Sequence, residues 1–359
     1  MRVSVISFLP LVVFSSLSIH CAHSEMVKRE VAQSTNVPDQ ERWKRFKEFA
    51  ANLDLTAEGT SIAISSGGTS VYAVVSRGGK PIGAVLPENA ATSLSGEVLT
   101  FHLAKILGYA DIYQPGTYKL LTGANLRAFS EIIPKSPYEG KVYANKELNR
   151  VAILERIQRS PNGIDAIYKD WANRPYDYDG LSNWKINSFD KSHILKGSKT
   201  PFASFLTCAG PLPAKDVVVN MNKGTTNEFD AARELSTIFL IDALTQQWDR
   251  FSGGNLQTIT VDGKVHFGAY DNGGTWGGTR WTSKYTELVS RFDRDAAQRL
   301  MDMNKFLNEG SGGFMGLRTE AELMQVLGVT KLPGTFKKFK ESLKMVSAHI
   351  IKNQNCYFE

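Results

Sequence analysis

The strongest constraint on the fold of this chain is a long helical pattern that runs directly into a β-hairpin pattern. In EFDAARELSTIFLIDALTQQW, residues 228–248, apolar side chains recur on one helical face, namely Ala232, Leu235, Ile238, Phe239 and Ala243. The strands NLQTITV and KVHFGAY follow, joined by Asp262-Gly263, a dipeptide typical of two-residue hairpin turns. The pattern predicts that residues just before and just after the hairpin lie together near the end of this helix.

The rest of the chain divides into a strand-rich first part and a mainly helical second part. Strand patterns separated by double glycines, which are typical of hairpins, occupy residues 61–66, 70–77 and 81–88. Helical patterns flank them at residues 41–53 and 94–110. We therefore predict an α+β fold, with a strand-rich part at residues 41–130 and a mainly helical part at 131–359 that contains the hairpin segment 249–274.

The N-terminus has the composition of an export signal. Arg2 precedes an apolar stretch that ends near Leu17, and Ala22-x-Ser24 suits cleavage before Glu25. We predict a signal peptide at residues 1–24, a polar linker at residues 25–40 and an exported mature chain; an uncleaved anchor is the alternative. The apolar stretch is short for a membrane span, and no later stretch is long and apolar enough, so no stable membrane span is expected.

Two cysteines, Cys208 and Cys356, remain if Cys21 is removed with the signal. In an oxidising compartment they form either one bridge or two buried free thiols, and the sequence leaves both open.

The net charge of the 359-residue chain is +6, which suits an acidic partner. The lysines and arginines are spread along the chain with no run of five, so we expect no nucleic-acid partner.

Three oxygen-bearing side chains flank the predicted hairpin. Asp249 follows the long helix, Asn255 lies six residues later, and Asp271 ends the returning strand. Carboxylate and amide oxygens suit hard divalent cations, and a carboxylate beside a hydroxyl can accept its proton. Asp and Asn are also common turn formers, so the functional interpretation depends on their combination around one hairpin.

The segments WDRFSGGN, VHFGAYDNGG and GEVLTFHLAKILGY resemble atypical kinases related to the lipid kinases. These include the secretory-pathway kinases of the Golgi casein kinase and four-jointed type, and the actin-fragmin kinase. The resemblance covers about 65–130 and 228–280. It implies a two-lobed protein-kinase-like fold with a strand-rich N-lobe and a mainly helical C-lobe, and transfer of the ATP γ-phosphoryl group with Mg²⁺ or Mn²⁺ to a protein or glycan hydroxyl.

The same resemblance assigns roles to residues of this chain. Asp249 would be the catalytic base, Asp271 the main metal ligand and Asn255 a second ligand. Glu97 would orient the nucleotide-binding lysine or touch the metal. The phosphate loop would be formed by Gly67 and Gly68.

One position departs from the family pattern. Leu86 stands where the family carries its nucleotide-binding lysine. One interpretation is that Lys80 or Lys119 reaches the phosphates from a neighbouring strand, and another is that substrate or metal compensates. Alternatively, the chain is a pseudokinase that acts as a nucleotide-binding or regulatory binding partner. Transfer of the nucleotide instead of the phosphoryl group is a further alternative.

Four aromatic or histidine side chains are ambiguous in the sequence. His102 lies among apolar helix residues and His266 within a hairpin strand, so both are expected to be structural. Trp276 and Trp281 either line a substrate groove or pack a loop.

Overall fold

The computed structural model describes residues 40–64, 71–89, 93–133, 144–171, 201–221, 224–251, 255–261, 264–310 and 312–359. The signal peptide predicted at residues 1–24, nearly all of the predicted linker, and the predicted phosphate loop at Gly67 and Gly68 lie outside these residues.

A five-stranded antiparallel sheet forms the first layer, in the order β1-β2-β3-β5-β4. Gly78 and Gly79, with φ of 56° and 75°, form the tight turn between β2 and β3, as the double glycine predicted. Strand β5 of this sheet lies beyond residue 130, in the part of the chain that the sequence predicted to be mainly helical. The strands are β1 (Thr60–Ile64), β2 (Ala73–Arg77), β3 (Lys80–Pro87), β4 (Gly116–Leu121) and β5 (Ile164–Lys169).

Helices cover this sheet and form a hydrophobic core with it. The predicted apolar face of the first helix, α1 (Gln40–Ala51), is buried at Phe46, Phe49 and Ala50. Helices α3 (Gly123–Ile132) and α4 (Ala144–Arg159) contribute Leu126, Phe129 and Ile153 to the same core. The sheet and the helices that cover it thus share one apolar cluster.

Helix α2 (Leu94–Leu107) lies between the sheet and the helical part. Ser93 caps its N-terminus by accepting from the Gly96 amide, and Gly108 ends it with φ of 89°. Buried residues occur all around the helix, so α2 contacts structure on every side and joins the two parts.

The second part is mainly helical and centres on α6 (Glu228–Thr245), which is buried along most of its length. Strands β6 (Val218–Met221) and β7 (Gly224–Asn227) precede it, and β8 (Leu256–Val261) and β9 (Lys264–Ala269) follow it. The other helices are α5 (Pro201–Phe205), α7 (Thr279–Leu288), α8 (Arg294–Asn304), α9 (Glu320–Val326) and α10 (Pro333–Lys352). The predicted α+β class is thus confirmed. In the part of the chain that the structure describes, no helix combines the length and apolar character of a membrane span.

A disulfide joins Cys208 to Cys356, with Cα atoms 5.6 Å apart. Of the two possibilities that the sequence left open, the structure contains the bridge. It ties the C-terminal tail to the segment that follows α5.

Candidate active site

The long helix and the hairpin meet as the sequence predicted. Residues Leu256 to Val261 pair with Lys264 to Ala269 in antiparallel register. At the open end of this hairpin the Tyr270 amide donates to the Asn255 carbonyl oxygen over 2.8 Å. Asp271 therefore follows directly after a residue that is hydrogen-bonded to Asn255.

Asp249 joins the same cluster through side-chain and backbone contacts. The Asn255 side-chain amide donates to the Asp249 carbonyl oxygen over 2.8 Å and lies 3.4 Å from its Oδ2. The Trp248 amide donates to the Gly274 carbonyl oxygen over 2.8 Å. A Cβ on Gly274 would lie 2.6 Å from the Asp249 Cβ, so only glycine permits this approach. The structure thus brings Asp249, Asn255 and the loop that follows Asp271 together.

The buried side chain of Arg250 holds this cluster in place. Its fully buried guanidinium pairs with both carboxylate oxygens of Asp242 on α6, each at 2.9 Å. The remaining donors reach the carbonyl oxygens of Asn255 and Tyr270 and the side-chain oxygen of Asn272, at 2.7–2.8 Å. Burial opposes the charged form, but the Asp242 carboxylate keeps the pKa of Arg250 above its ordinary value. One side chain therefore fixes both ends of the hairpin to the helix.

The sequence pattern did not single out Asp242. Its only signal is a carboxylate in the apolar run STIFLIDAL, eight residues before Arg250. A charge placed there requires a buried partner, and a nearby arginine is the natural candidate.

The lysine that pairs with Glu97 is Lys169, at the end of β5. Its ammonium Nζ lies 2.8 Å from Glu97 Oε1, and the two side chains are 7% and 1% exposed. Lys169 lies opposite Ala84 in β3, one strand away from Leu86, which is buried against Leu94 and Val98. A strand that pairs with β3 thus supplies the ammonium group that Leu86 cannot supply.

Neither of the two predicted lysines occupies this place. Lys80 is exposed at the β2–β3 turn and lines a surface groove with Arg45 and Arg77. Lys119 lies on β4 opposite Ala166. Sequence reasoning missed Lys169, although a lysine that ends the apolar strand IDAIYK is an unusual residue to bury and was a usable signal.

The other carboxylate oxygen of Glu97, Oε2, is buried and makes no hydrogen bond among the residues that the structure describes. Buried polar atoms are almost always satisfied, so this oxygen has the capacity to accept a hydrogen bond or to contact a cation.

The Glu97 end of α2 packs directly against the loop that follows Asp271. The Ser93 amide donates to the Gly273 carbonyl oxygen, and the Trp276 indole donates to Ser95 Oγ, each over 2.9 Å. These bonds join the Glu97–Lys169 pair to the loop that begins at Asp271. The two sequence motifs, far apart in the chain, therefore lie against each other in the fold.

Backbone strain is concentrated in this neighbourhood. Asp271, Trp276 and Gln246, which ends α6, have φ of 47°, 63° and 54°. Left-handed conformations are costly for residues other than glycine and persist where surrounding contacts enforce them, often at functional sites.

The side chains around the hairpin bear oxygen atoms of the kind that divalent cations prefer. Asp249 and Asp271 offer carboxylates, and Glu97 offers its unpartnered oxygen. Asn255 uses its amide nitrogen toward Asp249, so its Oδ1 is the atom left for a cation. Across the described residues, no group of three His, Cys, Asp or Glu side chains could hold a metal alone. Mg²⁺ needs no such cage, since it is usually bound by one or two carboxylates together with substrate phosphates.

The tryptophans serve mainly in packing. Trp276 bonds to Ser95, and Trp281 is 7% exposed with the Lys284 ammonium 4.8 Å from its ring centre. Trp248, next to Asp249, is 38% exposed. His102 packs against Phe101; burial, aided by Lys105, lowers its pKa to about 4.

No protein-family model matches this chain, and no curated protein matches it.

Proposed function

We propose that this chain is an exported atypical kinase with a two-lobed protein-kinase-like fold, which transfers the γ-phosphoryl group of ATP to a hydroxyl. The observation that carries the proposal is the buried Lys169–Glu97 pair, because the helix that carries Glu97 is hydrogen-bonded at its N-terminal end to the loop that follows Asp271. Phosphoryl transfer needs charge and positioning more than covalent chemistry, and this site offers an ammonium group, carboxylates and an amide within one cluster.

Each residue has a role that matches its chemistry. Lys169 supplies positive charge to the nucleotide phosphates, and Glu97 holds its ammonium in place. Asp249 accepts the proton of the acceptor hydroxyl. Asp271 and Asn255 are the residues that would hold Mg²⁺ or Mn²⁺, together with the Oε2 atom of Glu97. A bound metal ion would supply charge that neutralises the phosphate oxygens.

The disulfide and the acceptor class complete the proposal. Disulfides persist in oxidising compartments, so the Cys208–Cys356 bridge supports export. The acceptor is a hydroxyl of a protein or a glycan. The pseudokinase alternative was motivated by Leu86, and Lys169 now supplies the charge whose absence motivated it.

The proposal is tested by incubating the mature protein with labelled ATP, Mg²⁺ or Mn²⁺ and a panel of protein and glycan acceptors. Wild type should incorporate label, and Asp271→Ala and Asp249→Ala should lose it by about 10²–10³-fold, as for other site electrostatics. The exposed Asp216→Ala is the matched control and should retain activity. The mass added to the product separates phosphoryl from nucleotidyl transfer. Equal activity in wild type and Asp271→Ala would refute the assignment.

A further inference from the structure

Helix α1 contacts both members of the Glu97–Lys169 pair through their neighbours. Arg42 Nε donates to Asp170 Oδ2 over 2.7 Å, and Asp170 immediately follows Lys169. Both side chains are buried, with Arg42 9% and Asp170 3% exposed. A buried ion pair therefore holds the chain at the point where β5 ends.

The main chain of Asp170 is fixed at the same place. Its amide donates to the Pro115 carbonyl oxygen over 2.9 Å, and its carbonyl accepts from the Gln114 side chain. Arg42 also donates, through Nη1, to the Asp111 carbonyl oxygen over 3.2 Å. One guanidinium thus links the end of β5 to the turn that follows α2.

Aromatic contacts extend this attachment to the Glu97 helix. The Trp43 ring lies 5.4 Å from that of Phe101, which is one helical turn after Glu97 on α2. The Phe49 ring lies 6.1 Å from that of Tyr168, which precedes Lys169. Contacts at both rings tie α1 to the two elements that carry the pair.

Helix α1 is itself anchored by close contact with β3. A Cβ on Gly83 would lie 2.3 Å from the Phe49 ring, so this glycine lets α1 lie directly on the sheet. A shift of α1 would therefore disturb the sheet, α2 and the end of β5 together.

We propose that α1 is a strap that positions the Glu97–Lys169 pair, and that Arg42 is its positioning residue. This inference rests on the proposed function for its effect on ATP use, but the placement of Lys169 can be measured without ATP. Without the Arg42–Asp170 bond, the end of β5 loses its attachment to α1, and the Lys169 ammonium becomes more accessible.

The test is acetylation of the whole protein with a water-soluble amine reagent, followed by peptide mass spectrometry at Lys169. In wild type the buried Lys169 should react slowly, and in Arg42→Gln its labelling should rise about 10–100-fold, reflecting a loosened site. Arg42→Lys should restore part of the protection because it retains the charge. Exposed Lys80 should label equally in every variant.

Two matched variants separate positioning from general loss of stability. Arg45→Gln alters the exposed face of the same helix and should leave Lys169 protected. Leu343→Ala destabilises the distant α10 core and should lower the melting temperature without exposing Lys169. Unchanged labelling in Arg42→Gln, or an equal rise in Leu343→Ala, would overturn the strap.

The kinase assay provides a second readout, and its outcome is independent of the labelling result. In Arg42→Gln, kcat/KM for ATP should fall about 10–100-fold, with partial rescue in Arg42→Lys. If wild type shows no ATP turnover, the proposed function fails while the labelling result still decides the strap. If labelling rises but kcat/KM stays at the wild-type value, the positioning role in catalysis is refuted.

Discussion

Gly96 sets how closely helix α2 approaches the Asp271 loop. A Cβ at this position would lie 2.2 Å from Thr275 Oγ1 and 2.7 Å from the Asn272 carbonyl oxygen. The threonine side chain can rotate, but the carbonyl oxygen belongs to the backbone, so the loop or the helix would have to move. The lack of a side chain at residue 96 therefore keeps Glu97 next to the loop that carries Asp271.

Replacing Gly96 with alanine should weaken both stability and ATP turnover. Overpacking at such a contact costs about 1–3 kcal/mol, measured as the free energy of unfolding in urea. Gly334→Ala is the control, since it lies in the first turn of α10 with nothing within 4 Å of its would-be Cβ. That control should be neutral or slightly stabilising. Wild-type stability and turnover in Gly96→Ala would contradict this account.

At the scale of elements, the hairpin is attached to α6 at its open end and again along β9. Arg250 and Asp242 fix the end that carries Asp249 and Asp271. Within β9, His266 Nδ1 lies 2.6 Å from Glu234 Oε1, and the Phe267 amide donates to Glu234 Oε2 over 3.1 Å. The hairpin is thus a rigid extension of the helix, which suits a site that depends on positioning.

The His266–Glu234 pair should make stability depend on pH. The hydrogen bond with Glu234 raises the pKa of His266 above its ordinary 6.5; burial opposes this rise, and Asp111 and Asp230 support it. His266 in the folded protein therefore binds its second ring proton more tightly than it does in the unfolded chain. The pair's contribution is therefore complete below pH 6.5 and is lost as the pH rises through the raised pKa.

Urea unfolding of wild type and His266→Gln between pH 6 and 9 tests the direction of this pH dependence. The stability difference between them should shrink as the pH rises, and Glu234→Gln should behave like the histidine variant. A difference that stays constant or grows with pH would contradict the assignment.

The elements differ in how far their sequence predicted them. The α6 helix, its hairpin and the Gly108 end of α2 follow from local patterns, because periodicity and turn residues act over a few residues. Lys169 was not predicted, because one strand and three α-helices lie between β3 and β5 in the chain, and no local pattern records that pairing. Asp242 was missed because its partner lies in the loop after the helix.

At the scale of the whole molecule, the disulfide closes a loop that contains most of the helical part. Cys208 and Cys356 are separated by 148 residues, so the bridge restricts a large share of the unfolded chain. The sequence left the bridge and two free thiols equally open, since only folding determines whether the two cysteines meet.

Reducing this bridge should cost about 2–5 kcal/mol of unfolding free energy, measured in guanidinium chloride with and without dithiothreitol. The double variant Cys208→Ser/Cys356→Ser should be less stable than oxidised wild type and insensitive to reductant. Equal stability of wild type with and without reductant would argue against a stabilising bridge.

The most direct test of the whole account is the thermal shift that ATP and Mg²⁺ produce in wild type, Lys169→Met and Lys119→Met. A ligand that binds only the folded state raises the melting temperature. We predict a clear shift in wild type and in Lys119→Met, and a shift that is lost or strongly reduced in Lys169→Met. Absence of a shift in wild type, or an undiminished shift in Lys169→Met, would contradict a nucleotide site built on the Glu97–Lys169 pair.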